Sequence, residues 1–176
     1  MIFYIILLAF IGLPMVEGQD PSAGVWTKIS RLPVCVKARD EGYGFLQYSG
    51  ESKLLGGLKL QYVSGEIRCV SNEAHNSRWG CSGRAQPLNI IITDKNNHVI
   101  FPLPEIIKNS AGSGLWYSIP FVNEVYSDEL VFANFGQPLY LPTDEKLRFW
   151  YGDDLKNHSE GDNQGQVCFH VFALFM

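Results

Sequence analysis

Long helical periods are missing from this sequence. No stretch repeats apolar positions at i, i+3, i+4 and i+7 for long enough to define an amphipathic helix, which argues against a helix bundle. A surplus of positive charge is also missing. Lys and Arg number 14 against 18 Asp and Glu, for a net charge of −4. That balance supplies no electrostatic footprint for nucleic acid and no basic surface for anionic lipid. Neither HExxH nor GxSxG occurs, so the commonest zinc-protease and serine-hydrolase signatures are absent. Cysteine is sparse, with four residues and no CxxC pair, and this spacing argues against a structural zinc site. No internal repeat, low-complexity tract or interdomain linker is visible. Beyond the N-terminus, no segment is long and apolar enough to span a bilayer.

What is present begins with "MIFYIILLAFIGLPMVEGQD". Apolar residues dominate from Ile2 to Leu13, and small and polar residues follow. This is the layout of a secretory signal, although the amino terminus alone supplies the positive charge before the apolar core. Val16 and Gly18 stand where small residues precede a cut, so the expected signal peptide is 1–18. A leader over 19–32 and one domain over 33–176 complete the expected organisation. The protein is expected to be extracellular and free of the membrane after cleavage. An even number of cysteines in a secreted chain predicts disulfides. Cys69 and Cys81 flank the turn-rich "VSNEAHNSRWG" and are paired on that ground. Cys35 then pairs with Cys168, tying the first core strand to the last.

Short runs rich in Val, Ile, Leu, Phe and Tyr recur between clusters of Gly, Pro, Asn and Asp, the pattern of an all-β sandwich or barrel. Strands are predicted near 33–38, 44–48, 57–63, 66–70, 87–93, 98–101, 115–119, 129–133, 138–141, 146–151 and 166–175. "NIIITDKNNHVIF" reads as a hairpin turning at Asn96 and Asn97, residues that tolerate positive φ. A second hairpin is expected at Ser64-Gly65. One helical turn is expected within 103–108, limited by Pro102 and Pro104. The last strand is apolar on both faces, as central strands are. Two packed antiparallel sheets of jelly-roll type are therefore expected, with the first and last strands as neighbours.

The segments "GGLKLQYVSGEIRC", "RWGCSG", "LNIIITDKNNHVI" and "LRFWYGDDLKNHSEGDNQGQVCFHVFAL" together resemble secreted invertebrate ectodomain proteins of cnidarian type, over most of residues 33–175. The resemblance implies an extracellular protein in which the acidic loop is a family feature. It implies no named activity and assigns no catalytic or ligand residues.

That loop is "YGDDLKNHSEGDNQG", residues 151–165. Asp153, Asp154, Glu160, Asp162 and Asn163 offer oxygen donors of the kind calcium takes in sets of six to eight. The spacing is not that of an EF-hand, because Leu155 and Lys156 fall where oxygens are needed. A solvated loop with adequate turn chemistry is the alternative. Asn157-His158-Ser159 within it is an N-glycosylation sequon. Aromatics form a second constellation. Trp150 with Arg148, and Trp79 with Arg78, Asn76 and His75, have the residue types that stack on sugar rings and bind hydroxyls. Against this, tryptophans commonly fill cores. His170 reads as structural and His98 as solvent-facing. The Gly- and Ser-rich "SAGSGLW" joins no strand to a helix and reads as a plain loop rather than a phosphate cradle. The reading that results is a non-enzymatic, secreted binding module that recognises extracellular glycans with calcium ordering the acidic loop. The alternatives are a matrix or coat protein that binds other matrix proteins, and, as a minor one, a glycoside hydrolase using a pair such as Asp153 and Glu160.

Overall fold

Among the described residues ten strands form where β-branched and aromatic residues alternate with polar ones. A computed structural model describes residues 24–108 and 114–176. The expected signal peptide, the first part of the leader and most of the Gly- and Ser-rich segment lie outside those residues. The strands are β1 (Trp26–Lys28), β2 (Val34–Lys37), β3 (Gly44–Gln47), β4 (Lys53–Arg68), β5 (Ile90–Thr93), β6 (Val99–Phe101), β7 (Glu129–Ala133), β8 (Leu139–Leu141), β9 (Lys146–Tyr151) and β10 (Gln164–Phe175). They build two antiparallel sheets packed as a sandwich. In the larger sheet β10 lies beside β4; β2 and β1 follow one another along the free side of β10, and β7 and β8 do the same along β4. The smaller sheet runs β3-β9-β5-β6.

The doubly apolar last strand is central, as its composition predicts. Val167, Phe169, Val171 and Ala173 are fully buried and face the core. Leu55, Leu58, Leu60 and Ile67 of β4 join them, and Ile90, Ile92, Leu147 and Phe149 approach from the other sheet. Phe149 meets Phe169 edge-on, with ring centroids 5.5 Å apart. Each such side chain contributes on the order of 1.5–3 kcal/mol by leaving water. On the outer face of β10, the Lys59 ammonium lies over the Phe172 and Trp26 rings, at 5.1 and 5.5 Å.

Both disulfides are present. Cys35 lies directly opposite Cys168 in the β2–β10 register, and Cys69 is bonded to Cys81. The β5–β6 hairpin turns at Asn96 and Asn97, the latter at φ 65°.

Four local expectations are corrected. No hairpin turns at Ser64-Gly65. β4 runs straight through, and Val63 is the extra residue of a bulge opposite Cys168 and Phe169. Gly65, at φ +86°, lets the backbone pass close to the Gln166 carbonyl, the use of strand glycine at bulges. Residues 115–119 form no strand; Tyr117 makes only isolated bridges to Leu88 and Ile107. Residues 103–108 form tight turns, with Ile106 N–H donating to Leu103 O and Ile107 N–H to Pro104 O, and no helix. Residues 26–28, within the expected leader, form β1 against Phe172–Leu174.

Because β4 and β10 are antiparallel, the sandwich has two distinct ends. Loops 38–42, 69–89 and 152–163 gather where β4 finishes and β10 starts. Loops 48–52, 94–98, 134–138 and 142–145 gather at the other.

Candidate functional site

Immediately after β9 the chain makes one helical turn, α1 (Gly152–Leu155). Successive residues of a helix project about 100° apart, so the adjacent aspartates serve different neighbours. Asp153 is buried and accepts a hydrogen bond from the Trp116 indole N–H at 3.1 Å. Its backbone N–H donates to Asn89 Oδ1 at 3.2 Å, and its carbonyl accepts from His158 N at 2.9 Å. Burial raises the Asp153 pKa to about 6, against the opposing pull of hydrogen bonds from Trp116 and Asn163 and the charges of Arg84 and His158. Gly114 makes room for this carboxylate, since a Cβ there would land on it.

Asp154 turns the other way. Its two oxygens accept from the backbone N–H groups of Glu41 and Gly42, at 2.8 and 2.9 Å. This clasp holds the 38–42 loop against α1. Burial, and then a hydrogen bond shared with the Glu160 carboxyl group, raise the Asp154 pKa to about 7 in spite of the two N–H donors. Glu160 Oε2 is buried and without a hydrogen-bond partner, as is Asn163 Oδ1. Asn163 is fully buried and donates to Ala38 O, whereas Asp162 and Asn157 face solvent.

The five residues expected to bind calcium therefore do not converge. Asp154 and Glu160 come together; Asp153 is turned to Trp116 and Asp162 to water. Among the described residues no three Asp, Glu, His or Cys side chains form a metal cluster. A cation between Asp154 and Glu160 would meet two carboxylates, of whose oxygens Glu160 Oε2 is unpartnered and both of Asp154 already accept from backbone N–H groups. Backbone carbonyls and water would have to complete its shell of six to eight oxygens. The donor chemistry fits calcium to that extent.

The aromatic constellations are corrected. Trp79 is fully buried, donates its indole N–H to Ser127 O at 2.7 Å, and packs against Phe169. Trp150 is buried, donates to Thr93 Oγ1, and is covered by Tyr43 with centroids 4.4 Å apart. Their expected partners are engaged within the protein. The Arg78 guanidinium stacks on Tyr62 at 4.2 Å and bonds Asp128. Arg148 lies over Tyr43 and donates to Asn97 Oδ1 at 2.8 Å. Asn76 accepts from Arg68 and donates to Glu66. His75 Nδ1 contacts Ser82 O at 2.6 Å. Neither tryptophan presents a face to a ligand.

At this end a hollow of about 420 Å³ is lined by Lys37, Arg39, Asp40 and Gln164. A groove of about 600 Å³ opens between the β5–β6 hairpin and the segment from 134 to 142, at the end away from the acidic loop. Sequence reasoning marked Asp94 and His98 only as parts of a turn, Tyr140 only as part of a strand, and Asn134 and Gln137 not at all. Juxtaposition across the two sheets carries no signal in a single sequence.

No protein-family model matches the chain, and no curated protein does. A solved structure does: AJLec from the sea anemone Anthopleura japonica superposes with a TM-score of 0.76 at 36% sequence identity, over 88% of this chain and 99% of that one.

Proposed function

The chain belongs to the family of AJLec, and on that premise we propose that it is a secreted lectin that recognises extracellular glycans without transforming them. The observation that carries this reading is the match to a protein of lectin-like name along nearly that protein's whole length. Two supports come from the chain itself. Its disulfides suit an oxidising, extracellular compartment. Its buried carboxylates are held by indole, amide and backbone donors, an arrangement for fixing loops.

Calcium belongs to this proposal as an organiser of the acidic loop. Asp154 and Glu160 would hold it, and it would supply the positive charge that the facing carboxyl groups lack. Asn157, exposed and inside its sequon, would carry an N-linked glycan.

Two measurements test the reading. Purified chain should be retained on beads bearing simple saccharides and released by the free sugar; no retention on any bead contradicts it. Isothermal titration should show calcium binding that Glu160→Gln removes. Heat unchanged in that variant would take calcium out of the account and leave saccharide recognition to stand by itself.

A further inference from the structure

We propose that the chain also binds a small amphipathic anion, a carboxylate or sulfate group on a short apolar body, in the pocket between β1 and the 48–52 loop. This site is independent of saccharide recognition.

The pocket follows from the way β10 is paired. β1 and β2 both lie along β10, but residues 29–33 interrupt them. Ser30 draws this bridge inward. Its N–H donates to Val171 O at 3.3 Å, and its hydroxyl accepts from Val171 N at 2.9 Å. The 48–52 loop carries the chain from the smaller sheet to the larger one alongside. Between the bridge and the loop lies a pocket of about 570 Å³, within the ~300–1,000 Å³ typical of small-ligand sites.

The inner lining is apolar and fixed. Ile29, Tyr48 and Phe175 contribute to it, and the two rings lie 5.9 Å apart. Tyr48 is held by its hydroxyl, which donates to Glu51 O at 2.6 Å, and by its N–H, which donates to Glu145 O at 2.8 Å. The Lys53 ammonium lies over the Phe175 ring at 5.7 Å.

The charged lining is cationic. Lys28, Arg31 and Lys53 stand against one carboxylate, that of Glu51, in a chain whose net charge is −4. Cations elsewhere are engaged: Arg78 bonds Asp128, Lys59 pairs with Glu129, and Arg68 bonds Asn76. Lys28 and Arg31 are exposed, and among the described residues neither has a hydrogen-bond or ion-pair partner. Charge of one sign gathered at a concave site raises the local concentration of the opposite ion. A guanidinium takes a carboxylate or sulfate through two parallel hydrogen bonds, and an ammonium adds a point charge. Ser49 supplies a neutral hydroxyl donor. A cationic mouth over aromatic surface fits a ligand that is anionic at one end and apolar at the other. A neutral ligand would leave the cations unanswered, and an inorganic anion would leave the rings uncovered.

The test is amide NMR on the ¹⁵N-labelled chain, titrated separately with octanoate, octyl sulfate, octylammonium and inorganic sulfate. Octanoate or octyl sulfate should shift signals within 27–31 and 48–53. Octylammonium lacks the negative charge and inorganic sulfate lacks the apolar body, so each should bind at least about tenfold more weakly. The same titrations are run on Lys28→Gln/Arg31→Gln, whose own spectrum verifies its fold. This variant should lose at least about tenfold in affinity for the preferred anion. Absence of shifts with both amphipathic anions, shifts centred elsewhere, or a smaller difference in any of these comparisons overturns the proposal. None of these outcomes bears on retention by saccharide beads, so the two readings fail separately.

Discussion

Asp153 and Asp154 share a helical turn and a high pKa, and both shifts arise first from burial. The stability consequence has a definite sign. An unfolded aspartate releases its proton near pH 3.8, whereas these two release theirs at about 6 and about 7. Between those values the folded chain holds protons that the unfolded chain has lost, so stability falls as pH rises through the window. In metal-free buffer the thermal midpoint should be higher near pH 5 than near pH 8, and Asp153→Asn should flatten the slope around pH 6. A midpoint that climbs over the same range contradicts this. Asp94, whose pKa is lowered by hydrogen bonds from His98 and Asn96 despite a raising contribution from burial, acts oppositely and only on the acid side of pH 4. Gly114→Ala should displace the Asp153 carboxylate and remove the raised titration from the pH profile of the thermal midpoint; an unchanged profile would contradict the packing described. A count of carboxylates made this loop visible in the sequence. Their division between Trp116 on one side and residues 41–42 on the other was not visible, because it depends on loops distant in sequence.

Among elements, alternation made most strands legible, and the hairpin at 94–98 was marked by its own turn residues. The error at Ser64-Gly65 is instructive. A serine-glycine pair between apolar runs suits a tight turn and a bulge equally well, and pairing with β10 decides between them. Gly65 takes a φ of +86° beside the Gln166 carbonyl. Gly65→Val should therefore lower unfolding free energy by at least ~1–2 kcal/mol, the usual strain of a side chain in that region. Urea denaturation reads the change, and an unaltered midpoint would count against the bulge. The tryptophans failed as site markers for a related reason. Trp79 and Trp150 have the composition of a sugar platform, but strand register turns both into covered positions. Tyr140, on a three-residue strand at the sheet margin, has no sequence pattern that separates it from any other strand aromatic.

For the molecule as a whole, the sandwich class and both cysteine pairings were legible because composition and compartment constrain them. The groove was not, since it joins residues near 95 to residues near 137 across two sheets. The disulfides differ in what they restrain. Cys35–Cys168 spans 133 residues of sequence and Cys69–Cys81 spans 12. On the chain-entropy account their removal costs roughly 5 and roughly 3 kcal/mol respectively. Cys35→Ala/Cys168→Ala should lower the denaturation midpoint more than Cys69→Ala/Cys81→Ala does; the reverse order would contradict that ranking. The most direct measurement for the account is binding of the purified chain to an array of neutral and acidic glycans, in calcium and again in EDTA. The account predicts retention on a restricted set of neutral glycans, competed by the free sugar. Uniform absence of binding in calcium would contradict it.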